Sequence, residues 1–249
     1  MAVTTEPKLD AQRIRADFPI FANAARPKPL AYLDSAASSQ KPRQVLDAMT
    51  RFYETSYANV HRGVYGLAAK ATDALEEARE KTRAFVNAPS AREIVFVRNA
   101  TEALNLVAYS WGLNRLGPGD VVLVTELEHH SNYVPWQYVA RRTGAEFRML
   151  PLDDQGELRL DLLDETVEGA GDVKVVATGY VSNALGTVNP VERLSAWAHE
   201  RSAIMVSDAA QAAPHRRIDV QALGVDFLAV SGHKMLGPSG IGFLWGRAE

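Results

Sequence analysis

Lys234 stands where a lysine could act as a nucleophile. It follows the apolar run Phe227 to Val230 through Ser231-Gly232-His233 and precedes Met235-Leu236-Gly237-Pro238-Ser239-Gly240. Only 7 of the 27 basic residues are lysines, and a merely solvated one is not expected between a buried run and a glycine-rich turn. A desolvated lysine loses pKa and forms a Schiff base with a carbonyl. Asp208 ends another apolar run, with Gln211 three residues on, on the same face if a helix begins there. Such a carboxylate either caps that helix or faces a cationic ring nitrogen and holds it protonated. Asn99-Ala-Thr101-Glu102 follows Phe96-Val97. Thr101 reads as an ordinary N-cap, or its helix start seats a phosphate on free N–H groups. Glu128-His129-His130 follows Val124 and reads as two surface histidines or, lacking a third nearby His or Cys, as a poor zinc site. No metal is expected.

Singly, each residue leans structural. Together they supply a lysine for an aldehyde, a carboxylate for a ring nitrogen, an aromatic for a ring face, and hydroxyls with N–H groups for a phosphate. Those are the requirements of pyridoxal 5'-phosphate (PLP).

The elements that must position them alternate. Glu93 to Val97, Asp120 to Thr125, Glu146 to Leu150, Val173 to Thr178 and Ala203 to Ser207 are short β-branched or apolar runs. Between them the spacing predicts helices over Thr101 to Arg115, Val134 to Arg142, Leu160 to Val167 and Val191 to Arg201. Uniformly apolar strands joined by single helices predict an α/β fold, a mostly parallel sheet with flanking helices. Ligands bind beyond the carboxyl ends of such strands, where the residues above fall. Upstream, helices are expected near Leu9 to Phe18, Arg43 to Tyr57 and Ala68 to Val86, with prolines punctuating an arm to about Leu30. Two last runs, Phe227 to Val230 and Ile241 to Trp245, enclose the glycine-rich turn.

The 249 residues are 47% hydrophobic and carry a formal charge of −3, with basic and acidic side chains interspersed. No basic stripe suited to nucleic acid is evident, and no apolar stretch approaches the roughly 20 residues that span a bilayer. The N-terminus has no apolar signal core, and zero cysteines fit a reducing compartment, so a cytoplasmic location is expected. The lack of cysteine also removes any disulfide, zinc-thiolate site or thiol nucleophile from these residues.

Tyr32-Leu-Asp-Ser-Ala-Ala37, Asn59-Val-His-Arg-Gly63, Glu128-His-His-Ser-Asn132 and Ser182-Asn183-Ala-Leu-Gly186 resemble motifs of the class V aminotransferase family. So do Asp208-Ala-Ala-Gln211, Pro214-His215 through Ile218-Asp-Val220, and Ser231-Gly-His-Lys-Met-Leu-Gly-Pro238. The likeness is to the SUF-type cysteine desulfurase and selenocysteine lyase branch and runs from about Leu9 to Trp245.

The resemblance implies the large domain of the PLP-dependent transferase fold type I. An N-terminal arm and helix would occupy residues 1–30 and the PLP-binding domain residues 31–249, incomplete at its C-terminal side and without the family's small domain. It implies that Lys234 carries the Schiff base, Asp208 pairs with the pyridinium nitrogen and Gln211 bonds the ring's phenolic oxygen. His129 stacks on the ring, and Thr101, Ser231 and His233 hold the phosphate. Asn183 lies near the substrate carboxylate or a cofactor oxygen. His61 approaches an active site at the interface of a homodimer. The implied activity converts L-cysteine to alanine and passes sulfur to an enzyme cysteine, then to an acceptor protein of the SUF pathway for iron–sulfur cluster assembly. The alternatives are a selenocysteine lyase acting on L-selenocysteine, another class V PLP enzyme, or an inactive fragment needing a complementary chain. The family's nucleophilic cysteine and substrate-gripping arginine are missing, so the chain alone is expected not to turn over cysteine. Apolar surface is expected to be exposed where the missing C-terminal part would pack, since the strand pattern is still running at Ile241 to Trp245.

Overall fold

The computed structural model describes residues 9–22 and 28–248. The remainder of the expected arm, residues 1–8 and 23–27, lies outside the described residues. Helix α1 (Ala11–Ala16) is shorter than expected: Asp10 caps it by accepting from the Arg13 N–H, and a 3-10 turn takes over at Pro19–Ala22. Helices α2 (Arg43–Thr55) and α3 (Gly66–Phe85) follow.

The alternating part forms β1 (Ile94–Val97), α4 (Ala100–Val107), α5 (Leu113–Arg115), β2 (Asp120–Thr125), α6 (His130–Thr143) and β3 (Glu146–Leu150). It continues through α7 (Leu163–Val167), β4 (Asp172–Gly179), α8 (Val191–Glu200), β5 (Ile204–Asp208), α9 (Val220–Leu223), β6 (Phe227–Ser231) and β7 (Gly242–Gly246). A π-helical turn at Ala108–Gly112 interrupts the expected single helix between α4 and α5. Helix α6 starts four residues before the expected Val134, because the His129 ring, outside the usual set of caps, accepts the Ser131 N–H at 3.1 Å. The helix considered after Asp208 does not form; residues 210–215 are turns. The short α9, not anticipated, begins where Asp219 accepts from Gln221 and Ala222 and stops at Gly224, whose φ of 68° favours glycine.

One seven-stranded sheet results, in the order β1-β7-β6-β5-β4-β2-β3. Its pairings are parallel except those of β7, which runs antiparallel to both β1 and β6. Alternate side chains of each strand enter two separate cores. Val121, Leu123 and Met205 join one with α8 and α9, and Val122, Val124 and Val206 join the other with α4 and α6. A register shift between β2 and β4 at Val121/Val122 keeps this alternation in phase, so that Val175 and Ala177 share the second core while Val176 lies in the first. A sheet buried on both faces leaves its strand ends as the place for polar function.

The last strand is not left at an edge of the sheet. β7 is inserted between β1 and β6, and Phe243, Leu244 and Trp245 are 6%, 6% and 2% exposed. The antiparallel return after the glycine turn fills an internal slot rather than leaving a bare edge. Exposed apolar side chains include Leu236 and Ile241 in the turn before β7, and others lie on α2 (Leu46, Met49, Tyr53), none of whose residues is buried, and at Val64, Tyr65 and Leu67.

Candidate active site

The strand register determines which side chains meet. Gly179 of β4 pairs with Asp208 of β5, Asp208 pairs with Ala229 of β6, and β6 ends at Ser231. The carboxyl ends of β2, β4, β5 and β6 thus converge on a cleft of about 500 Å³, a size suited to a cofactor. Thr101, His129, Asn183, Asp208, Gln211, Ser231, His233 and Lys234, read from widely separated stretches of sequence, all line it. His61 does not. It lies in an exposed loop with φ 67°, its N–H donating to Thr72 Oγ1 at 2.9 Å.

At the start of α4 the cap is Asn99, whose Oδ1 accepts the Glu102 N–H at 2.9 Å, so the cap reading of Thr101 is corrected. Asn99 precedes the helix in extended backbone and reaches the N–H that Thr101, already inside the first turn, cannot. The Thr101 hydroxyl makes no hydrogen bond among the described residues and faces the cleft. Beside it, Ser231 Oγ accepts the Ala100 N–H at 2.8 Å. That leaves the Ser231 proton free to donate, and His233 lines the same wall. Burial, with Lys234 and Lys41 nearby, lowers the His233 pKa.

Asp208 is 8% exposed. One carboxylate oxygen accepts the Ala210 N–H at 2.9 Å, an Asx-type turn in place of a helix cap. Burial raises its pKa, against the pull of that hydrogen bond and of the charges on Lys234 and His129. Burial likewise lowers the pKa of Lys234, while Asp208 raises it. Among the described residues no ion pair joins the two, so each is a desolvated charge with unused capacity. Gln211 donates one Nε2 hydrogen to the Ala36 carbonyl at 2.8 Å, which holds the amide against the cleft with its other hydrogen available.

Glu128, quoted in a motif but given no role by the sequence reading, proves to be a knot in the cleft wall. It accepts from the Gly179 N–H at 2.6 Å, from Asn132 Nδ2 at 2.6 Å and from the Thr125 hydroxyl. Burial pushes its pKa up to about 7 despite these three donors, and Asp208 adds to the push. Asp34, Ala36 and Ala37, from the segment before α2, also line the cleft. The Tyr32 to Ala37 motif carried no role in the sequence, and the fold brings it to Gln211, 175 residues away.

No group of three or more His, Cys, Asp or Glu side chains able to hold a metal occurs among the described residues. The donor set fits PLP instead: a reactive amine, a buried carboxylate with one oxygen left for a cation, and hydroxyl donors at a helix start.

Comparison with known proteins gives the same direction. The family model described as Aminotransferase class-V matches residues 31–249. The cysteine desulfurase of Klebsiella pneumoniae is 50% identical over 240 residues, covering 96% of this chain and 58% of that relative. The crystal structure of the Escherichia coli cysteine desulfurase CsdA superposes with a TM-score of 0.85 at 40% identity, covering 97% of this chain and 59% of the other. The apo cysteine desulfurase of Thermococcus onnurineus NA1 gives a TM-score of 0.87 at 40% identity, covering all of this chain and 58% of the other. The chain therefore spans less than 60% of the length of these relatives.

Proposed function

The chain belongs to the class V aminotransferase family, and we propose that it is the cofactor-holding portion of a PLP-dependent cysteine desulfurase. The observation that carries this reading is that Lys234 and Asp208, not ion-paired among the described residues, line one cleft together with Thr101 and Ser231.

PLP supplies an electron-withdrawing ring for the substrate α-carbon. The chain's residues divide the remaining work. Lys234, whose pKa burial lowers, is the amine that would hold the cofactor aldehyde, and its Nζ is the base that would take the substrate α-proton. Asp208 would keep the ring nitrogen protonated, since a cation in contact opposes the effect of burial on its carboxyl and favours the ionised form. Gln211 would offer its free Nε2 hydrogen to the ring oxygen, and His129 would cover a ring face. Ser231, Thr101 and His233 would hold the phosphate, and Asn183 would serve the substrate carboxylate or a cofactor oxygen.

The SUF-type motifs support L-cysteine as substrate, a cytoplasmic homodimer in which His61 acts from the second copy, and a sulfur-acceptor protein serving iron–sulfur cluster assembly. The 249 residues contain no cysteine, so the thiolate that takes the substrate's sulfur must come from outside them.

The test is chemical. The chain is mixed with PLP, reduced with borohydride, digested and mapped by mass spectrometry. A pyridoxyl group on Lys234, absent from a Lys234→Ala chain, is expected. Labelling centred on another lysine such as Lys174 would overturn the assignment.

A further inference from the structure

The His233 carbonyl oxygen belongs to the peptide bond that leads into Lys234, and it is unusually crowded with donors from one distant segment. Ser39 gives it both its N–H at 3.0 Å and its hydroxyl at 2.9 Å, and Lys41 Nζ reaches it at 3.0 Å. Lys41 Nζ also donates to the Ser39 carbonyl at 2.6 Å, so the ammonium clamps both chains. Ser39 Oγ in turn accepts the Leu236 N–H at 2.9 Å. Ser39 is buried.

The loop so held needs holding. Leu236 sits at φ 68°, a left-handed conformation that costs a branched side chain energy. A Cβ on Gly232 would lie 2.8 Å from the Ile241 carbonyl oxygen, and one on Gly237 2.9 Å from that of Gly232, so the turn has no slack to relax into. Fixing the oxygen of a peptide plane fixes the plane and with it the N–Cα bond of the next residue, Lys234, and the Leu236 N–H held by the same Ser39 hydroxyl restrains the dihedrals that remain between them.

We propose that Ser39 and Lys41 are positioning residues: a strap, anchored on the His233 carbonyl, that holds the strained turn 232–237 and aims the Lys234 side chain into the cleft. Lys41 is the charge-assisted member, since its donor is an ammonium, and both of its hydrogen bonds are partly buried. Burial lowers its pKa, as desolvation of that ammonium requires. The consequence for cofactor binding rests on the proposed role of Lys234; the mechanical consequence does not.

The experiment compares the parent with Lys41→Met, Lys41→Arg and Ser39→Ala. In the chain without PLP, amide hydrogen exchange of the peptide spanning residues 231–241 should accelerate about tenfold or more in Lys41→Met and Ser39→Ala, with the strands β2, β4 and β5 unchanged. With PLP, Lys41→Met should bind about tenfold or more weakly and give an altered induced circular dichroism of the bound ring, since small misplacements of a reacting group carry penalties of this size. Lys41→Arg should restore both. Parent-like exchange in the 231–241 peptide of both truncating variants would overturn the strap, as would failure of arginine to restore what methionine removes. If either variant unfolds, the other and the arginine rescue still decide. Slow exchange in the parent that both truncating variants accelerate, with no PLP on Lys234, would preserve the strap and sink the cofactor assignment instead.

Discussion

Asp208→Asn isolates the charge that the proposed function assigns to a ring nitrogen. The amide keeps the side chain's shape and an oxygen for the Ala210 N–H, now at 2.9 Å, so the turn that positions it survives. What is lost is a carboxylate only 8% exposed, beyond the reach of most solvent screening. A hydrogen bond to a charged partner contributes about 1.5–3 kcal/mol, and stripping one member from a buried pair costs about 3–5 kcal/mol. Their meeting point, about 3 kcal/mol, corresponds to a roughly 100-fold weaker dissociation constant at about 1.4 kcal/mol per factor of ten. Titrating the unliganded chain with PLP and following the visible absorbance measures it directly, with Asp208→Ala as the variant that also loses the turn's acceptor. Should both variants bind PLP within threefold of the parent, Asp208 would be a turn-former only, and the ring nitrogen would have to be held elsewhere.

Glu128 gives a pH signature with a definite sign. Its folded pKa, raised to about 7, lies above the ordinary value near 4.5, so between those limits the folded chain binds the extra proton. Stability from this group is therefore present at pH 5 and is lost as pH rises through 7, by up to about 3 kcal/mol. Urea unfolding from pH 5 to 8 should show the difference between parent and Glu128→Gln changing across that window; a pH-independent difference would refute the shift. Gly242→Ala tests the junction of β7 with α4. A Cβ there would lie 2.4 Å from the Val230 carbonyl oxygen and 2.8 Å from Asn99 Cα, and overpacking of this kind costs about 1–3 kcal/mol or more. A thermal midpoint equal to the parent's would show that the backbone yields easily.

The sequence by itself determined the alternation of strand and helix, because buried parallel strands must be apolar along their length and amphipathic helices must repeat near every third or fourth residue. It also placed the polar residues at strand ends, since only there can a sheet covered on both faces expose function. Eight of the residues it singled out meet in one cleft. Register and partner choice were decided only by the tertiary structure. Nothing in Ile241 to Trp245 says that this strand turns back and slots between β1 and β6, because an apolar run reads the same in either direction. Thr101 looked like a cap until Asn99 took the bond, a choice of backbone geometry between two chemically competent side chains. Glu128 and the Ser39–Lys41 strap were invisible for a different reason: their importance lies in what they touch. A carboxylate becomes unusual when folding surrounds it with Gly179, Asn132 and Thr125. A surface-type lysine becomes a clamp when a carbonyl 192 residues away is brought to its ammonium. Local sequence carries propensity and pattern; desolvation and long-range donor–acceptor pairing exist only once the chain has closed on itself.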